Sequence, residues 1–127
     1  MTRAKIFQFR LDPATGVPVY RQIIDQVTMA IAAGHLEAGA QLPTVRQVAV
    51  DLAINPNTVI RAYRELEIRN VLSTQQGIGT FVTLKKVKPD EAVRQRRLSQ
   101  LAADGAARAG AEGFTLEELI ERLRELG

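Results

Sequence analysis

Thr44-Val45-Arg46-Gln47-Val48-Ala49-Val50-Asp51-Leu52 and Asn55-Pro56-Asn57-Thr58-Val59-Ile60-Arg61-Ala62-Tyr63 are separated only by Ala53-Ile54, and each opens on its own helix-start signal. Thr44 with Gln47 three residues on fits a capping box, in which each residue satisfies a backbone amide of the other. The pattern predicts a helix over about Val45 to Leu52 that buries Val45, Val48, Ala49 and Leu52. Asn55 suits the next N-cap and Pro56 the first helical position, where a missing N–H costs nothing. Val59, Ala62, Tyr63 and Leu66 recur on one face of this following helix, which should end near Arg69. Asn70 tolerates the left-handed conformation that closes a helix.

Working outward, Leu72 to Gln75 and Thr80 to Thr83 read as two strands, with Gln76-Gly77-Ile78-Gly79 as the hairpin tip. On the other side, Tyr20, Ile23, Ile24, Val27 and Ile31 give a first helix from about Pro18 to Ala33, stopped by Gly34. Leu36 to Pro43 is a connector. Asp12 to Gly16 is a turn. Phe7-Gln8-Phe9-Arg10-Leu11 alternates apolar and polar and reads as a short strand. The expected fold class is mainly α with a small β-hairpin wing (α+β): a winged helix-turn-helix over 1–83. A short two-helix tail over 84–127 follows.

The bulk numbers permit this and exclude other classes. The chain has 127 residues, 46% of them hydrophobic, so a real core can form. Seventeen Lys and Arg against fourteen Asp and Glu give a net charge of +3, which permits nucleic-acid binding without demanding it. Cysteine is absent, excluding disulfides and thiolate metal sites. The start at Met1-Thr2-Arg3-Ala4-Lys5 has no long apolar run behind it, so no signal peptide or membrane span is expected and the protein is placed in the cytoplasm, on the nucleoid when bound to DNA. Scarce aromatics favour duplex over single-strand recognition. Lone His35 follows the first helix without a second ligand at metal spacing. No nucleophile–base pair or phosphate-cradling motif occurs, so no enzyme activity, cofactor or metal is expected.

On the helix starting at Asn55, the residues Asn57, Arg61 and Arg64 lie roughly opposite the apolar face and should point outward. Amides read adenine and Arg reads guanine in the major groove, and Asn57 and Arg61 stand one turn apart near the helix start. A solvated face explains the same residues without DNA. Asn55 can cap its helix, contact a phosphate, or both. Arg46, near a helix N-terminus, opposes the macrodipole, which either a phosphate or an ion pair with Asp51 would offset. Gly77 and Gly79 permit close backbone approach to a nucleic acid, or simply turn geometry. Gln75, Gln76 and Thr80 can donate to phosphates. The stretch Lys85, Lys86, Lys88, Arg94, Arg96 and Arg97 is either a solvated linker and helix face or a backbone contact.

The motifs Leu42-Pro43-Thr44-Val45-Arg46, Asn55-Pro56-Asn57-Thr58-Val59 and Gly77-Ile78-Gly79-Thr80-Phe81-Val82, with the opening Val17-Pro18-Val19-Tyr20-Arg21-Gln22-Ile23, resemble the GntR family of bacterial regulators. Asn55 to Val59 with Arg61-Ala62-Tyr63 resembles its YtrA subfamily. The resemblance implies operator binding as a homodimer, through Thr44, Arg46, Asn55, Asn57, Thr58, Arg61, Gly77 and Gly79. Many members carry an Arg where this chain has Pro56, so that base contact does not carry over. The larger ligand domain usual in the family has no counterpart, and an effector would bind between the tails or at their junction with the DNA domains.

The tail adds a fourth helix with the loose stripe Val93, Leu98, Leu101 and Ala102, fading into an Ala/Gly-rich stretch from Ala102 to Gly113. In the last helix Thr115 and Glu118 form a capping box, Phe114 can staple onto Leu119, and Leu116, Leu119, Ile120, Leu123 and Leu126 line one face. Each buried Leu or Ile contributes about 1.5–3 kcal/mol, and so short a tail builds no core of its own. Leu98, Leu101, Leu116, Leu119, Ile120 and Leu123 are therefore expected to pack against a second copy, presenting two reading helices to a palindromic operator. Folding back onto the winged unit is the alternative. A docking adaptor is the competing function, disfavoured by the basic outer face at Asn57, Arg61 and Arg64. A repressor of transcription is the expected role.

Overall fold

A computed structural model describes residues 7–84 and 90–127, in two compact units that divide between Leu84 and Lys85. The first contains α1 (Val19–Ala32), β1 (Gln41–Leu42), α2 (Val45–Leu52), α3 (Pro56–Ile68), β2 (Leu72–Gln75) and β3 (Gly79–Val82). The second contains α4 (Glu91–Ala111) and α5 (Leu116–Leu126).

The core of the first unit sits where α1, α2, α3 and the sheet converge. Ile23, Val27, Val48, Val59 and Leu66 are sealed from solvent, joined by Leu42, Leu72 and Val82 from the strands. All four residues of the expected α3 face, Val59, Ala62, Tyr63 and Leu66, are buried, because period-3.6 spacing keeps them on one stripe. On α2, Val48 and Ala49 are buried while Val45 and Leu52 are only partly covered. The capping box at Thr44 forms in both directions. Asn55 caps α3 with Pro56 at its first position. Asn70 adopts φ 60°, and Ala53, closing α2, adopts φ 55°.

Two sequence expectations are corrected in the sheet. The wing is three-stranded rather than two-stranded, in the antiparallel order β1-β3-β2. Its extra member is the end of the predicted connector: Gln41 pairs with Phe81 and Leu42 with Thr80. The returning strand begins at Gly79 rather than Thr80 and ends at Val82, since Gly79 already pairs with Gln75.

A third correction concerns Phe7 to Leu11, which forms no strand. It runs beside α1, where no strand edge is offered, and its backbone is held by side chains instead. The Gln26 amide accepts from the Arg10 N–H at 2.9 Å and donates back to the Arg10 carbonyl. One turn earlier, the Gln22 amide accepts from the Asp12 N–H and donates to the Asp12 and Val17 carbonyls. The alternation reports a real inside and outside all the same: Phe9 is buried and stands edge-on to Phe7, ring centroids 4.9 Å apart.

In the second unit, α4 continues through the Ala/Gly-rich stretch to Ala111, where the sequence pattern predicted fading. Gly105 and Gly110 lie inside it. The capping box at Thr115 and Glu118 is present. Only Ala109 is buried in this hairpin, as its length requires. The expected helix start at Pro89 and the basic residues Lys85, Lys86 and Lys88 lie outside the described residues. So does the start from Met1 to Lys5.

Candidate nucleic-acid interface

The N-termini of α2 and α3 each present donors outward, and their capping geometry explains why. At α2 the Thr44 hydroxyl accepts from the Gln47 N–H at 3.1 Å. At α3 the Asn55 side-chain carbonyl accepts from the Asn57 N–H at 2.9 Å. Capping uses acceptors, so the Thr44 O–H and the Asn55 NH2 remain available to an anion. Both residues are exposed, at helix ends whose dipoles favour negative charge.

Arg46 is exposed on the first turn of α2. Among the described residues it forms no ion pair, with Asp51 or any other carboxylate. It shares a shallow surface groove with Val50, Ile54 and Pro56, which brings the start of α2 beside the start of α3.

Along the outer face of α3, Asn57, Ile60, Arg61 and Arg64 line one shallow groove that continues to Glu65 and Ile68. Charge divides this face. Asn57, Arg61 and Arg64 come first along it, and the carboxylate of Glu65 follows. Glu65 is itself taken by Arg69 at 3.1 Å. The stretch from Asn57 to Arg64 suits a polyanion. Thr58 is half-buried.

Arg61 does not stand free in solvent. Its guanidinium carbon lies 3.8 Å from the centroid of the Tyr20 ring, on the second residue of α1. At that range the ring quadrupole attracts the cation.

In the wing, Gln76 and Gly77 are exposed at the hairpin tip, apart from both grooves. Gly77 has φ 79° with open space around the missing Cβ, which is turn geometry. Gly79, at φ 151°, lies where a Cβ would come within 2.6 Å of the Gln41 amide nitrogen, so the side chain of β1 occupies the space the glycine leaves. Thr80 is the member of the candidate set that the fold turns inward. It is buried and its hydroxyl meets that of Thr74 at 3.2 Å. Thr74 in turn donates to the Glu67 carboxylate, which ties the wing to the end of α3.

In the second unit Leu119 is half-buried, its methyl 4.0 Å from the position a Cβ would take at Gly105 of α4. Leu98, Leu101, Leu116, Ile120 and Leu123 are exposed, Leu101 at 69% and Leu123 at 55%. Among the described residues no cluster of His, Asp or Glu could hold a metal ion, and no helix is long and apolar enough to cross a membrane.

Residues 19–82 match the family of bacterial regulatory proteins known as gntR. The chain belongs to the GntR family. Over 92% of its length it is 36% identical to the HTH-type transcriptional repressor YtrA of Bacillus subtilis (strain 168), of which the match covers 90%. Its fold resembles that of YtrA from Sulfolobus acidocaldarius, a GntR-family transcription factor, with a TM-score of 0.57, 28% identity, and coverage of 93% of this chain and 95% of that one. It also resembles the DNA-binding domain of AraR solved in complex with operator ORE1, with a TM-score of 0.51 and 26% identity over 61% of this chain and 94% of that one. This GntR protein is thus a transcriptional regulator of the YtrA kind, and its relatives are regulators rather than enzymes.

Two features of this GntR chain escape a reading from sequence. The Tyr20–Arg61 stack joins residues forty-one positions apart, and nothing local marks the pair. The link from Glu67 through Thr74 to Thr80 was equally hidden, although the period-2 placement of Thr74 and the pairing of Thr74 with Thr80 across the hairpin offered a signal.

Proposed function

We propose that this GntR regulator represses transcription by binding a palindromic operator in double-stranded DNA as a homodimer. The observation that carries the reading is the outer face of α3, where Asn57, Arg61 and Arg64 line one groove beside Ile60, directly after the donor-bearing N-cap Asn55 of the same helix. Asn and Arg are the side chains whose hydrogen-bond patterns match the major-groove edges of adenine and guanine. Thr44, Arg46 and Asn55 position the helix through phosphates, and Gln76 with Gly77 approaches the backbone from the wing. That the AraR relative is solved on an operator supports the same docking for this fold.

The second copy accounts for the tail. Leu98, Leu101, Leu116, Ile120 and Leu123 would bury their exposed surface against the same residues of a partner in a two-fold arrangement. A small-molecule effector would bind between the paired tails, each of which carries a groove between α4 and α5 lined by Arg108, Phe114 and Arg122.

Selection of bound duplexes from a random pool tests the reading. Two inverted half-sites recovered together are expected, with affinity falling steeply as salt is added because phosphate contacts release counterions. Arg61→Ala and Asn57→Ala should each lose specific binding while the chain stays folded. An enriched pool with no shared half-site, or wild-type affinity in both variants, would overturn it.

A further inference from the structure

The stack of Arg61 on Tyr20 is more than a packing detail. Resting on the reading of α3 as the DNA-reading helix, we propose that Tyr20 is a positioning residue: it holds Arg61 by the face of its guanidinium so that the edge meets a guanine.

The geometry supports this in three ways. First, the guanidinium carbon sits over the ring at a separation that suits face-on stacking. A guanidinium carries its five N–H donors in its own plane, so a ring 3.8 Å away leaves that edge free for the paired O6 and N7 acceptors of guanine. An ion pair would instead consume the same donors. Second, the usual competitor is disarmed. Glu65 is one turn along α3 and would be the ordinary i,i+4 partner of Arg61, but its carboxylate is bound by Arg69 at 3.1 Å. Third, the support is rigid. Tyr20 is half-buried on α1, and α1 packs directly on α3 through Ile23, Ile24 and Val27, so the ring and the arginine belong to one frame. An arginine fixed this way reaches the duplex with its long side chain already ordered, and the ordering no longer counts against binding.

The wing and the cap residues serve any duplex. A residue acting through Arg61 alone serves only the duplex with guanine at the right place. The test therefore compares sequences. The full chain is titrated with the duplex recovered by selection, with the same duplex carrying 7-deazaguanine at each guanine in turn, and with an unrelated duplex. Tyr20→Phe, which keeps the ring, should bind all of them within about twofold of wild type. Tyr20→Leu should weaken the selected duplex about two- to fivefold, leave the unrelated duplex and the salt slope unchanged, and blunt the penalty of one 7-deazaguanine position. In the Arg61→Ala background, Tyr20→Leu should have no further effect. Thermal melts of each variant report folding independently.

A loss in Tyr20→Leu that is equal on both duplexes, or that persists in the Arg61→Ala background, would mark Tyr20 as structural and overturn the inference. Undiminished specific binding by Tyr20→Leu would overturn it as well, with the DNA-reading role of α3 intact. A wild-type chain that prefers no duplex over competitor removes that role and this inference together.

Discussion

Tyr63 donates its phenolic hydroxyl to the carbonyl oxygen of Pro43 at 2.6 Å, from the buried face of α3 to the residue just before the N-cap of α2. One side chain thereby fixes where α2 begins relative to α3. Both residues are buried, so neither group has water as a substitute. Tyr63→Phe leaves the Pro43 carbonyl unsatisfied and should cost about 1–3 kcal/mol in denaturant unfolding at neutral pH. An unchanged midpoint would show that the bond contributes nothing.

The same group makes stability depend on pH in the alkaline range. Burial pushes the Tyr63 phenol well above its ordinary value. In the unfolded chain the phenol ionises near pH 10, while in the folded chain it stays protonated and goes on donating. Above pH 10 the unfolded state therefore gains a favourable ionisation that the folded state lacks. Wild-type stability should fall from that point upward. Tyr63→Phe, having no phenol there, should fall less steeply, so the gap between the two narrows as pH rises. Parallel curves through pH 10–11 would contradict the burial-driven shift.

Ala53 closes α2 in the left-handed region, at φ 55°, where an L-residue with a Cβ is strained by about 1–2 kcal/mol. Its N–H still bonds the Ala49 and Val50 carbonyls, so the conformation is held by the turn rather than chosen by the residue. Ala53→Gly removes the strain but adds freedom to the unfolded chain, an opposing effect of about 0.4–1 kcal/mol. A net gain of a few tenths to about 1 kcal/mol is expected, read as a raised melting temperature. A lower melting temperature would mean that the turn does not impose the strain its angle implies.

This residue also marks where the sequence stops being legible. α2 and α3 carry local signals at both starts: a capping box at Thr44 and an Asn-Pro entry at Asn55. Their boundaries, and the buried face of α3, follow from residues within a few positions of one another. Ala53 carries no such signal, because its φ is set by how α2 must meet α3. β1 escapes for the same reason. Gln41-Leu42 is too short for a period, and only the edge offered by Phe81 and Thr80 makes it a strand. Phe7 to Leu11 fails in the opposite sense: it has a strand's alternation but no strand to pair with, and the amides of Gln22 and Gln26 replace the ladder. In the candidate interface, the outward placement of Asn57 and Arg61 was legible from helical phase alone, whereas the turning-in of Thr80 depended on its cross-strand neighbour Thr74.

Gly79 should prove more sensitive than Gly77. Both have φ in the region that disfavours side chains, but a Cβ at Gly79 would also meet the Gln41 amide at 2.6 Å. Gly79→Ala is expected to cost about 1–3 kcal/mol, mostly from backbone strain, since the end of Gln41 can swing away. Adding Gln41→Ala should therefore recover only a minor part. Full recovery in the double variant would show that the clash, not the backbone, sets the requirement.

The exposed stripe of the tail leads to the last expectation, which rests on the proposed dimer. Leu123 and Ile120 lie on α5 with their apolar side chains exposed, while Leu119 is half-buried beside Gly105 of α4. Burying a Leu contributes about 1.5–3 kcal/mol, and a two-fold interface counts it twice, so a carboxylate there opposes pairing from both copies. Leu123→Glu should convert the dimer to monomer in sedimentation at micromolar concentration. The core of Ile23, Val27, Val59 and Leu66 lies in the other unit, so its melting should be unaffected. Binding to one isolated half-site should survive, and binding to the full palindrome should drop toward that single-site level, because the gain from linking two reading helices is lost. A variant that remains dimeric would place the pairing surface elsewhere than this leucine face.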